Sequence, residues 1–220
     1  KSDANIVDVD GVSGITVIGN STIAELTAID LGKPGGVTIN YQSLLDTSAN
    51  LFADVDSGGK KFINTDKKVI FKDDHTLRDL TAINDATSGS ITLHNKTVKM
   101  TGVAAQIKDA LNGINDYEGV LEVSDNKNTN IASGLIKSLV NKTNKDVIVA
   151  KEINIQGTSA NVSDLITKIV NSGNAKVELS DPHDLSQLKT ISSRTTGQIT
   201  LNKNDVPLVG SAIDLNTALT

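Results

Sequence analysis

An eighteen-residue phrase occurs three times in this chain of 220 residues and constrains its fold more than any other feature. It reads TIAELTAIDLGKPGGVTI at residues 22–39, TLRDLTAINDATSGSITL at 76–93 and DLSQLKTISSRTTGQITL at 184–201. Four positions hold the same residue in every copy: Leu26, Leu80 and Leu188; Ile29, Ile83 and Ile191; Gly35, Gly89 and Gly197; Thr38, Thr92 and Thr200. A phrase that recurs within one chain predicts structural units that stack and bury the same face against one another.

The first half of each copy predicts a short helix. Thr22, Thr76 and Asp184 stand where an N-cap is needed, because their side-chain oxygens can accept a hydrogen bond from an unpaired helical N–H. Apolar residues follow at steps of three, such as Leu80 and Ile83, and form one stripe along the helix.

The second half of each copy predicts a turn and a strand. A glycine follows the helix, and we expect Gly89 to take the positive φ that ends a helical turn. The closing residues, 91–93 in the second copy, alternate apolar, threonine, apolar, as a strand with one buried face does. The complete phrase is therefore helix, turn and strand.

A second phrase predicts further helices between these copies. Residues 101–113 and 209–220 share the pattern glycine, any residue, alanine, two residues, isoleucine or leucine, two residues, alanine-leucine. Residues 130–140 and 157–170 fit it with substitutions. Glycine and alanine allow such a helix to lie close to the element it packs on.

Eight short apolar segments predict strands, centred on Thr16, Thr38, Ile70, Thr92, Leu121, Ile148, Val177 and Thr200. Their spacing of about 22 to 32 residues is typical of a solenoid, and a parallel crossover of that length accommodates a short helix. We therefore predict an α/β repeat solenoid with parallel strands on one face and short helices on the other. Residues 1–220 would form a single solenoid of about seven to eight coils, with 1–20 as a first strand region and 21–220 as the repeats. A three-layer α/β domain is the alternative, but it does not explain why the same residues recur.

The two ends of the pattern predict stacking on further coils. The first copy is preceded by no cap, and the last phrase stops in its helix before a strand. A finished solenoid needs polar caps. We therefore expect a piece of a longer array, or a protomer that self-associates through its solenoid ends.

Composition excludes some partners. The net charge is −5 and the basic residues are scattered, so we expect no nucleic-acid partner. No apolar run approaches 18 residues, so we expect no membrane span. The chain has no cysteine, which fits bacterial proteins that are exported without disulfide chemistry.

The sequence contains no recognisable catalytic motif. HExxH, GxSxG and the phosphate-binding GxxxxGK[ST] are all missing. His75 and His183 each stand just before a short helix, where a metal site or a protonation switch is the functional interpretation and a polar turn residue the structural one, which we favour. We therefore predict that the protein is not an enzyme.

Two acidic stretches are the candidate metal sites. Asp8 and Asp10 lie in DVDGVSG, and Asp54 and Asp56 lie in DVDSGG. Paired aspartates beside glycine can bring several oxygen ligands to one calcium ion. The EF-hand pattern is incomplete, since Thr65 occupies the place of its final glutamate. Calcium is thus the one candidate cofactor.

The phrases LTAINDATSGSITL and GVAAQIKDALNGINDYEGVLEV resemble repeats of very long, cysteine-poor bacterial secreted proteins of the surface-layer and adhesin type. The resemblance extends from about residue 21 to residue 220. It implies export, a cell-surface or extracellular location and, often, calcium dependence. It transfers no functional residues, because the shared positions are core and turn positions.

Two functions from different classes follow. The first is a structural extracellular repeat protein, a component of a cell-surface layer, sheath or filament. The alternative is an adhesin or phage-fibre-like stalk that binds a carbohydrate, such as a cell-surface polysaccharide, or another surface ligand. A polysaccharide lyase on a parallel β-solenoid would need clustered acidic and basic residues, which the sequence lacks.

Overall fold

The structure is a computed structural model that describes residues 13–33, 35–56, 62–64, 66–149, 152–171 and 174–219. Within these residues the fold is mixed α/β, with eight helices and with strands gathered in small separate sheets. The strand pairs in these sheets are all parallel. The chain divides into two compact units, Lys1–Asn95 and Lys96–Thr220.

The first unit alternates strands and helices along the chain. Its strands are β1 (Gly14–Thr16), β2 (Asn20–Ser21), β3 (Thr38–Asn40), β4 (Ser43–Asp46), β5 (Lys68–Phe71) and β6 (Ile91–Thr92). Its helices are α1 (Ile23–Gly32), α2 (Ser48–Asp56) and α3 (Leu77–Ala86). Strand β1 pairs with β3, and a four-stranded sheet has the order β2-β4-β5-β6.

The second unit follows the same plan with more strands. Its strands are β7 (Met100–Gly102), β8 (Leu121–Val123), β9 (Asn130–Ala132), β10 (Val147–Val149), β11 (Asn154–Gly157), β12 (Val170–Asn171), β13 (Lys176–Leu179) and β14 (Ile199–Leu201). Its helices are α4 (Ala104–Ala110), α5 (Ser133–Val140), α6 (Ser159–Ile166), α7 (Leu185–Ser192) and α8 (Ala212–Leu219). Two sheets result, with the orders β12-β10-β8-β7 and β14-β13-β11-β9.

The predicted helix starts are confirmed. The side chains of Thr22, Thr76 and Asp184 each accept a hydrogen bond from the backbone N–H three residues further on. The repeated leucine of every copy is buried. The sequence did not predict α2, which ends with Asp54, Val55 and Asp56 of the acidic stretch interpreted as a turn.

All eight predicted strands are present, but the sheets of the described residues do not join them into a single ladder. The eight strands are distributed over four sheets, because most repeats contain a second strand that the sequence did not reveal. The missed strands (β2, β4, β7, β9, β11 and β12) have two to four residues, and several are rich in Asn, Ser or Gly, which have low β-propensity.

We call the stretch from one strand to its parallel partner a coil. Partners lie 21 to 26 residues apart, as in Met100 with Leu121 and Leu121 with Val147.

The repeated glycine is required for a different reason than predicted. Gly89 does not have a positive φ; instead, a Cβ on it would lie 2.1 Å from the carbonyl oxygen of Lys67 in the preceding coil. A Cβ on Gly197 would lie 2.4 Å from the carbonyl oxygen of Ala175. These two glycines therefore allow two coils to approach closely, whereas Gly35 has open space around it.

Candidate functional site

Four aspartates each link one coil to the helix of the coil before it. Each stands at the end of a strand or two residues beyond it, and its carboxylate accepts a hydrogen bond from the first N–H of a helix 21 to 25 residues earlier. The bonds are Ile23 to Asp46 (2.9 Å), Ser48 to Asp73 (2.6 Å), Ala104 to Asp125 (2.8 Å) and Ser159 to Asp181 (2.6 Å). A helix cannot satisfy its own first N–H groups. Each aspartate thus satisfies one helix and fixes the register between two coils.

The contact is most important at α4. The N-cap residue of this helix is Val103, which makes no side-chain hydrogen bond to the helix end. The carboxylate of Asp125 is therefore the side-chain cap that the described residues provide there. Its negative charge also lies at the positive end of the helix dipole.

Threonine hydroxyls make a second repeated contact between coils. The hydroxyl of Thr87 donates to the carbonyl of Lys67 at 2.8 Å and accepts from the N–H of Gly89 at 2.9 Å. Thr195 makes the same pair of bonds in the second unit, to Ala175 and from Gly197. One hydroxyl in each turn therefore both closes its own turn and bonds to the neighbouring coil.

A row of amide side chains crosses the outer face of the β14-β13-β11-β9 sheet. The Nδ2 of Asn154 donates to Asn130 Oδ1 at 2.7 Å and to Glu178 Oε2 at 3.3 Å. Glu178 also accepts from Asn202 at 2.9 Å and from Gln156. These donors, first that of Asn202 and then that of Gln156, hold the pKa of Glu178 below its usual range. The row is polar and carries a fixed negative charge.

The surface formed by β14 and α8, which we call the α8 face, is incompletely covered. Strand β14 lies at the edge of its sheet. Its Ile199 and Leu201 are only partly buried, whereas their partners in register on β13, Val177 and Leu179, are 1% and 0% exposed. Positions that form the core in an inner coil are therefore open to solvent at this face.

Helix α8 and the segment just before it add further apolar residues to the α8 face. Val209, Ile213 and Leu219 are 85%, 80% and 64% exposed. A cleft of about 300 Å³ lies between the helix and β14, and its lining includes Ala218 and Leu219. Helix α8 packs mainly against α7 and leaves this apolar surface available for contact.

The first unit has a comparable surface, which we call the α1 face. It consists of strand β2, an edge strand of its sheet, and of helix α1. Ile18, just before β2, is 93% exposed, and Leu31, in the last turn of α1, is 80% exposed. Among the described residues, each unit thus has an edge strand beside a helix with exposed apolar side chains.

The two histidines of the repeat are buried beside the helix starts. His75 and His183 are 3% and 5% exposed. The ring of His75 meets that of Phe71 edge to face, with centroids 6.0 Å apart. Burial lowers the pKa of His75 because it disfavours the charged imidazolium, and the charge of Asp74 partly opposes this effect. Their environment agrees with a packing role in the turn.

The candidate calcium ligands are only partly within the described residues. Asp8 and Asp10 lie outside them. Asp54 and Asp56 are helical residues at the C-terminal end of α2, whereas the sequence predicted a turn between elements. Asp54 is buried, and its carboxylate accepts from the N–H groups of Phe62 (3.0 Å) and Ile63 (2.8 Å), whereas Asp56 is exposed.

In the part of the chain that the structure describes, no three His, Asp or Glu side chains form a group able to hold a metal ion. Calcium binding at these aspartates stays a prediction.

Comparison with known proteins gave no relative. No protein-family model, no curated protein and no solved structure matches the chain. None of the described helices has both the length and the apolar character needed to cross a bilayer. The function must therefore be inferred from the contacts within the molecule.

Sequence reasoning missed the capping aspartates, although a signal for them exists. An acidic residue follows a strand in SLLD, VIFKD, LEVSD and KVELSD. The pattern becomes meaningful only when the parallel pairing is known, because the bonded N–H belongs to the preceding coil. The α8 face could not be found from the sequence, since Ile199 and Leu201 look like any other core residues.

Proposed function

We propose that this chain is a structural extracellular repeat protein, a component of a cell-surface layer, sheath or filament, in which both units belong to one β/α solenoid. The observation that carries the proposal is the recurrence of one contact, the aspartate cap between coils, in both units. A contact that recurs with the repeat is what a stacked architecture requires.

Several polar side chains of the described residues hold neighbouring elements together, which supports a structural role. Aspartates cap helices, threonine hydroxyls bond to the neighbouring coil, and Glu178 is saturated by amide donors. Lys189 and Asp214 form an ion pair between α7 and α8. A catalytic site would instead present reactive groups toward a substrate.

The extracellular location is supported by composition and by the resemblance of the repeats. A chain of this length without cysteine is suited to export without disulfide chemistry. The repeats resemble those of long bacterial surface proteins, which are exported.

The amide row favours the alternative function, a stalk that binds a carbohydrate. Asn130, Asn154, Gln156 and Asn202 present donors and acceptors along one sheet face, and hydroxyl-rich ligands use such groups. Calorimetric titration with a cell-surface polysaccharide tests this alternative. Saturable heat that is lost in Asn154→Ala would favour the stalk over the structural protein.

The structural proposal predicts self-association. We would measure the solution mass of the native protein by light scattering from about 1 µM to about 1 mM, a range that populates contacts with dissociation constants of 1 mM or tighter. The measurement is made once with calcium and once with a chelator. Growth in mass with concentration supports the proposal, and loss of growth in the chelator would also support calcium binding. A monomer in both conditions would contradict it.

A further inference from the structure

We infer that the α8 face of one copy binds the α1 face of a second copy, so that strand β2 of the second copy extends the sheet at β14. This inference rests on the proposed function and specifies its interface. The partner is a second copy because the contact would continue the packing that the chain already uses between neighbouring coils.

The free edge of β14 can accept a parallel strand. On its paired side, Gln198 accepts from Val177 and Asn202 donates to Leu179. Backbone groups of alternate residues in a strand point to opposite sides. The N–H and C=O groups of Ile199 and Leu201 therefore point away from β13, toward the open side.

Neither edge strand carries a side chain that blocks pairing. Natural edge strands are protected by lysine, proline, a bulge or a very short length. Strand β14 reads Ile-Thr-Leu and strand β2 reads Asn-Ser, without charge or proline. Both strands are short, so the contact also needs the packing of the helices beside them.

The helices beside the two edges carry apolar residues at matching places. Helices that follow parallel strands run in the same direction, as α7 and α8 do where they pack side by side. Leu219 stands in the last turn of α8 and Leu31 in the last turn of α1. If α1 packs on α8 as α8 packs on α7, these two exposed leucines meet.

One edge strand comes last in the chain order of its sheet and the other comes first, so the contact is head-to-tail. In the order β14-β13-β11-β9, β14 lies beyond the strands that precede it in the chain, whereas β2 lies before those that follow it in β2-β4-β5-β6. A contact between two different surfaces is heterologous, and it extends into a filament unless the rotation between copies closes a ring. Each added copy again offers a free α8 face.

The test uses one charged variant for each face. Leu219→Lys blocks the α8 face and Leu31→Lys blocks the α1 face. Both positions are exposed, so the variants should fold, which circular dichroism verifies. Ile213→Lys is a second variant of the α8 face. Ala160→Lys, which adds the same charge at an exposed position of α6, is the control.

Light scattering then separates the possibilities. We expect the wild type and Ala160→Lys to assemble and each blocked variant alone to stay monomeric. An equimolar mixture of Leu219→Lys and Leu31→Lys should form a complex of two chains and grow no further, because each variant retains one intact face.

Four results would overturn the inference. Assembly of Leu219→Lys and Ile213→Lys to the wild-type mass would contradict the α8 face while the proposed function stands. Dimers of Leu31→Lys alone would show that two α8 faces bind each other, and a mixture that stays monomeric would contradict head-to-tail pairing. A wild type that is monomeric at about 1 mM would contradict the proposed function as well.

Discussion

Replacement of Asp125 by alanine should destabilise the second unit at a helix in the preceding coil. The Asp125 carboxylate lies 2.8 Å from the N–H of Ala104, the first residue of α4, and the N-cap residue Val103 provides no side-chain cap. Asp125→Ala therefore leaves the start of α4 without a side-chain acceptor, although residue 125 lies 21 positions further along the chain.

The expected cost is about 1 to 2 kcal/mol. Loss of an N-cap costs about 0.5–2 kcal/mol, and loss of a negative charge at a helix N-terminus costs about 0.3–1 kcal/mol. These values overlap, because both describe the same carboxylate. For a chain of this size, the melting temperature should fall by roughly 2–8 °C. Asp125→Asn should cost less, since an amide oxygen can still accept the bond.

The assay combines thermal or urea unfolding with hydrogen exchange. The control is Asp146→Ala, which removes an exposed aspartate in the same unit and should change stability by less than about 0.5 kcal/mol. Ala104→Pro supplies a second control. Proline is tolerated at the first helical position and removes the N–H that Asp125 binds, so Asp125→Ala should cost little in this background.

Two results would refute the argument. Equal stabilities of Asp125→Ala and Asp146→Ala would show that the contact between coils contributes nothing measurable. An unchanged exchange rate at the Ala104 amide in Asp125→Ala would show that this N–H is protected by another group.

Three further predictions concern other parts of the repeat. Gly89→Ala should destabilise by about 2–4 kcal/mol, because the new Cβ meets the backbone oxygen of Lys67 at 2.1 Å, whereas Gly35→Ala should be neutral or stabilising by up to about 1 kcal/mol; urea unfolding compares them, and equal costs would contradict the close approach of coils. Burial lowers the pKa of His75 in the folded state, so its contribution to stability is present above the unfolded pKa of about 6.5 and is lost as the pH falls toward the folded pKa. His75→Gln should therefore show a smaller drop in melting temperature between pH 7.5 and pH 5 than the wild type, and an identical drop would exclude His75 as the cause. The calcium hypothesis predicts a lower melting temperature in chelator than in calcium. Equal melting temperatures would contradict it, and the role of Asp54 would then be to accept the hydrogen bonds from the N–H groups of residues 62 and 63.

The sequence predicted the elements that depend on local chemistry. The N-caps at Thr22, Thr76 and Asp184 are present because a capping side chain acts within three residues. The eight apolar strands are present because their alternation reflects one buried face. Both signals lie within a single segment, so neither depends on how the coils stack.

The sequence did not predict features that depend on the neighbouring coil. Gly35 and Gly89 are equivalent in the repeated phrase, but only Gly89 approaches the backbone of another coil. The short strand Asn154–Gly157 has weak β-propensity and forms because it has a paired strand on each side. Asp125 likewise gains its role only when its strand lies beside the strand that precedes α4.

A crystal structure of the complete chain tests the central claim most directly, because it determines whether the coils of both units form one solenoid. The proposal predicts parallel ladders that continue from the first unit into the second, with a partner about 21 to 26 residues away for each strand and the capping aspartates on the first N–H of the preceding helices. Sheets that end between the units, with the units packed in any other arrangement, would contradict the solenoid and the structural function proposed from it.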